Sequence, residues 1–239
     1  MQNVKKGLFS AKNVAMLAVL TAFVVLLQAG LGSIKIGPTE FSFVLIPIVL
    51  GSCMLGPLFG GFLGFVFSLI VFLTGVTGAN AFTYIMFTAN PFATTLIIFL
   101  KGILAGVVPG LLYNAISKKN EKAGIVVAAL SAPVVNTSIF ILLTLVFGSS
   151  FSAAFIKQGF IENGAAFMNF LFIGCAGINF IAEFAVNAVA TPILFTVMKV
   201  VGKKVSTVKP DPNADDSEKS EKSEKSEKSD DASEPVNRD

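Results

Sequence analysis

"FSFVLIPIVLGSCMLGPLFGGFLGFVFSLIVFL", Phe41 to Leu73, runs for 33 residues without a charge. About 20 apolar residues span the hydrocarbon core of a bilayer as a helix. The stretch is therefore either one long kinked helix or a hairpin of two short ones. Pro57, in "LGPLFGG", donates no backbone hydrogen bond and tends to break a helix there. Charge placement decides between the two readings. Lysine-rich flanks belong on the cytoplasmic side. As a hairpin, the stretch makes six spans. Lys5, Lys6 and Lys12, the "SKKNEK" lysines Lys118, Lys119 and Lys122, and Lys203, Lys204 and Lys209 then all lie inside, leaving Lys35 and Lys157 in outer loops. As a single span, it would send "SKKNEK" outside. The sequence predicts the hairpin, an all-α integral membrane protein of six transmembrane helices, and both termini in the cytoplasm.

The other spans read directly from hydropathy: Ala11 to Leu31, Pro91 to Ile116, Ala123 to Phe147 and Phe167 to Val200. The whole chain of 239 residues is 54% hydrophobic and only 14% charged, against about 25% charged in soluble domains. A multi-pass protein of the cell membrane follows. Three lysines ahead of the first apolar run raise a signal peptide as an alternative. The run's length and the further spans behind it favour a retained helix. Up to Pro210 the net charge is +9, and beyond it −6. "SEKSEKSEKSEKSDD", Ser217 to Asp231, has no apolar stripe to bury and is expected to be disordered. The predicted division is a membrane domain over 1–209 and a charged tail over 210–239.

Composition also excludes functions. With no histidine there is no Ser-His-Asp set and no HExxH, and no GxxxxGK[ST] loop is present for ATP. An integral membrane enzyme is disfavoured, and no cofactor, metal or nucleic acid is implied. Cys53 and Cys175 lie in apolar runs and read as small buried hydrophobes.

Charges at membrane depth are costly and mark sites or pairs. Lys101 and Glu183 are two such groups. At about 1.5 Å per residue, Lys101 lies roughly 15 Å below the outer end of its span, Asn136 roughly 17 Å and Asn179 roughly 18 Å. Glu183 is one turn deeper and Asn187 another. Asn179, Glu183 and Asn187, spaced i, i+4, i+8, share a helical face. Either Lys101 and Glu183 form a structural pair, or one or both contact a small polar ligand beside Asn136 and Asn179. Asn187 reads as helix-packing glue. Outer loops around Ile34–Phe43 and Asn80–Asn90 are candidate covers, with Tyr84 and Phe87 as walls and Asn90 as a polar contact. Ala11, Ala15, Ala18 and Ala22 fall on one face of the first helix. Small residues let helices approach closely, so this stripe packs within the chain or docks another membrane subunit. Gly60, Gly61 and Gly64 favour packing within the chain.

Five stretches in order, "AMLAVLTAF", "IKIGPTEFSFVLIPIVLGSCMLGPLFGGFLGF", "NPFATTLIIFLKGILAGVVPGLLY", "APVVNT" and "GINFIAEFAVN", together with six spans, resemble the substrate-binding (S) components of energy-coupling-factor (ECF) vitamin transporters. The resemblance covers Lys12 to Lys199. It implies a six-helix subunit that captures a water-soluble vitamin from outside, working with a transmembrane coupling subunit and two cytoplasmic ATPases. An Ala-x3-Ala face docks the coupling subunit in that family. Ala18 and Ala22 match it, and Ala11 and Ala15 extend it. Family pockets are built from the later helices under the first and third loops, which supports Lys101, Asn136, Asn179 and Glu183. A lysine-lined pocket suits an anionic vitamin such as pantothenate, unless Glu183 neutralises Lys101. The competing expectation is a stand-alone ion-coupled transporter with Glu183 carrying the proton.

Overall fold

The structure, a computed structural model, describes residues 10–31, 35–36, 39–40 and 43–207. The chain divides into two compact units, Met1–Met198 and Lys199–Asp239. The tail expected over 210–239, its boundary, and the lysines Lys5, Lys6 and Lys209 lie outside the described residues. So does part of the Ile34–Phe43 loop, from which a strand pair is seen, Lys35–Ile36 antiparallel to Thr39–Glu40.

The decisive stretch is two helices. Helix α1 spans Ala11–Leu26 and continues as a π-helix over Leu27–Leu31. Helix α2 is Leu45–Leu55 and helix α3 is Pro57–Val76. Gly56 between them has φ 108°, in the left-handed region that glycine adopts without a Cβ penalty. Pro57 then starts α3 at a position where its missing N–H costs nothing. The break falls where the proline predicts it, but the two halves are unequal. Helix α2 has 11 residues and rises only about 16 Å. Apolar all round and largely buried, it packs against α1 and α3 and against the two long helices that follow.

Helix α4 is Ala81–Ala89, α5 Pro91–Ile116, α6 Glu121–Val146 and α7 Gly148–Lys157. A turn at Gly164–Ala166, a short helical run at Phe167–Asn169 and a π-helix at Phe170–Gly177 lead into α8, Ile178–Thr207. Among the described residues, five helical segments are long and apolar enough to cross a membrane: Ala11–Gly30, Pro57–Val76, Pro91–Ile116, Glu121–Val146 and Gly164–Val200. Helix α2 is a sixth, shorter apolar helix.

Helix α5 is central, packed along both α3 and α6. Its contact with α3 is a glycine seam. A Cβ on Gly64 would strike the carbonyl of Gly102, and one on Gly106 would strike that of Gly60. Two serines tie α5 to its neighbours, Ser52 from α2 and Ser68 from α3. Ser52 Oγ donates to Gly106 O at 2.6 Å and Ser68 Oγ to Ile98 O at 2.8 Å. In lipid, where apolar surface gives no net drive, such backbone approach and interhelical hydrogen bonding hold helices together.

Two regions read from sequence as loops contain helices. In α4, Asn80 caps the N-terminus, its Oδ1 accepting from Thr83 N at 2.8 Å. Helix α7 buries Phe151 and Phe155, and Phe155 stacks on Phe82 of α4 with ring centroids 5.3 Å apart. At nine and ten residues, both are too short to show a clear apolar period.

Candidate functional site

Six elements enclose a cavity of about 90 Å³. Each contributes one helical face. Helix α5 supplies Thr94, Ile97, Ile98 and Lys101, spaced i, i+3, i+4 and i+7. Helix α6 supplies Asn136, Thr137 and Phe140, and α3 supplies Phe67 and Val71. Asn80 and helix α4 add Phe82, Thr83 and Met86. The last span brings Cys175, Ala176, Asn179 and Glu183, and the π-helical end of α1 brings Gln28. Both π-helices thus touch the cavity, the second immediately ahead of the Asn179–Glu183 face. An i→i+5 stretch shifts the register of everything after it, and such insertions concentrate at functional sites.

Glu183 is the electrostatic centre. It is 2% exposed. Asn136 Nδ2 donates to its Oε2 at 3.1 Å, the Asn179 side chain hydrogen-bonds it as well, and the charge of Lys101 acts on it. Lys101 Nζ also sits 5.6 Å from the centroid of the Phe140 ring, a cation–π distance. A carboxylate only accepts hydrogen bonds. Asn136 and Asn179 therefore turn their N–H groups toward it and their oxygens elsewhere. Among the described residues, Asn136 Oδ1, Asn179 Oδ1 and Thr94 Oγ1 are buried without a hydrogen-bond partner. Buried polar atoms are rarely left so. A ligand bearing N–H or O–H groups is what this wall lacks.

Of the residues singled out from sequence, Lys101, Asn136, Asn179 and Glu183 come together in this cavity. The Asn136 side chain reaches the Glu183 carboxylate directly, although equal rise along straight spans places Asn136 a turn above it. Asn187 is fully buried and off the cavity. Its Nδ2 bonds to Glu183 O, one turn back on its own helix, at 2.9 Å. Tyr84 is 44% exposed and lies outside the lining. Asn90 also lies outside it, its Oδ1 accepting from Ala93 N at 3.0 Å as the cap of α5. Loss of such a cap costs about 1 kcal/mol. Asn90→Ala is expected to lower stability by that amount in thermal unfolding and to leave ligand affinity within about twofold. Gln28, Asn80, Thr83, Thr94 and Thr137 complete the polar lining and carry no comparable signal in the sequence.

Ala11, Ala15, Ala18 and Ala22 are all exposed along α1, the least enclosed of the five long segments. Their stripe is not spent on packing within the chain.

These features define a multi-pass membrane protein with a small cavity among its helices, lined by polar and apolar side chains. The chain belongs to the family of ECF transporter substrate-specific components, which it matches over residues 12–195. Proteins of that family are the substrate-binding subunits of transporters. No individual curated protein matches the sequence.

Proposed function

We propose that this chain captures a water-soluble vitamin or related micronutrient from outside the cell and delivers it with a transmembrane coupling subunit and two cytoplasmic ATPases, in the plasma membrane. The observation that carries this reading is the cavity itself. It holds a buried carboxylate, a lysine and unpartnered amide oxygens, in a chain of the substrate-specific component family. Substrate contacts are assigned to Lys101, Asn136, Asn179 and Glu183, with Gln28 and Thr94 added. The five long segments, with α2 as the sixth membrane helix, and the lysines at "SKKNEK" and after Val200 favour both termini inside.

The exposed alanine stripe on α1 is the proposed docking face for the coupling subunit. Gln28 lies on the continuation of that helix and lines the cavity. Occupancy of the cavity and docking are thereby linked through one element. Ala18→Trp is expected to abolish co-purification of the coupling subunit and ATPases on an affinity column while leaving ligand affinity unchanged. Normal recovery of the complex with that variant would rule out this face.

A further inference from the structure

The chemistry of the cavity narrows its ligand further, on the reading that it is the substrate site. Among the described residues, the only charged side chains in its lining are Lys101 and Glu183, one of each sign. A ligand with a net charge would leave one charge uncompensated in a buried, membrane-embedded space, which is strongly unfavourable. The basis for an anionic ligand, a lone lysine, is removed by the carboxylate that Asn136 and Asn179 hold beside it. The unpartnered atoms set the polarity of the contacts. Asn136 Oδ1 and Asn179 Oδ1 only accept hydrogen bonds, so the ligand must donate. Phe82 and Phe140 offer aromatic surface for a flat ring.

We infer that the ligand of this cavity is a small ring compound without net charge at neutral pH, donating hydrogen bonds from at least two N–H or O–H groups to Asn136 and Asn179.

Calorimetric titration of the full chain in detergent with four probes tests this. Pyridoxine, 4-amino-5-hydroxymethyl-2-methylpyrimidine and riboflavin represent the inferred class, and pantothenate is the anion. One of the three uncharged probes is expected to bind at least 100-fold more tightly than pantothenate. Asn179→Leu is expected to weaken that binding by at least 30-fold, and Asn179→Ser, which perturbs packing less, by at least 10-fold. Tighter binding of pantothenate would overturn the charge assignment and leave the binding-subunit reading standing. Failure of all three uncharged probes to bind would overturn the inferred class, while co-purification with a coupling subunit judges the binding-subunit reading separately.

Discussion

Gly106→Leu is expected to leave almost no folded protein. A side chain at Gly106 meets the carbonyl of Gly60 across the α3–α5 seam, and at Gly64 that of Gly102. Backbone atoms cannot rotate aside as a side-chain tip does, so the two helices must separate. Separation also breaks the bond from Ser68 Oγ of α3 to Ile98 O of α5. Overpacking alone costs about 1–3 kcal/mol and more where the surroundings are rigid. A buried hydrogen bond adds about 1 kcal/mol. Against a total stability of about 5–15 kcal/mol, the loss is severe. Because α5 also carries Lys101 and Thr94, displacement would dismantle the cavity too. Size-exclusion chromatography after membrane extraction checks this, with Gly30→Ala as the comparison. A Cβ at Gly30 meets nothing within 4 Å. Equal monodisperse yields for both variants would refute the seam.

Lys101→Met is expected to abolish measurable ligand binding and to destabilise the protein by about 3 kcal/mol, the scale of removing one member of a buried charge pair. The lysine is a polar contact within the cavity and, among the described residues, the only cationic side chain in its lining facing Glu183. Without it a carboxylate that is 2% exposed is left to two amides. The double variant Lys101→Met/Glu183→Gln removes both charges. It is expected to regain most of the lost stability without regaining binding, because a Gln side chain accepts from Asn136 as the carboxylate did. Thermal unfolding of the four members of this cycle separates coupling from simple loss of contacts. Additive effects of the two substitutions would show that Lys101 and Glu183 are independent.

The helices are legible in the sequence where one physical cause dominates. The break in Phe41–Leu73 comes from a proline without an N–H after a glycine with positive φ, and the sequence names both residues. Lys101, Asn136, Asn179 and Glu183 stand out because polar side chains in apolar spans have no cheap alternative to one another. The rest of the lining has no such contrast. Gln28 lies near the end of its span, where polar residues are common, and its position depends on the π-helix over Leu27–Leu31. Thr94 is easily satisfied by its own helix backbone in general, and only its buried, unpartnered hydroxyl marks it. Asn80 and Thr83 fall in a stretch too short and too uniformly apolar to show α4. Asn90 and Tyr84 belong to that same stretch. The structure uses Asn90 as a helix cap, outside the cavity lining, and leaves Tyr84 exposed. Depth counting assumes equal rise along straight spans, and the π-helix at Phe170–Gly177 breaks that assumption just before Asn179.

Native mass spectrometry of the full chain, purified without added ligand and released from detergent, tests the binding-subunit reading most directly. The expected result is one small molecule per chain, present in wild type and missing from Asn136→Leu, with no uptake of that molecule by liposomes containing the chain alone. A wild-type chain that carries no small molecule, and that alone drives proton-dependent uptake into liposomes, would contradict it.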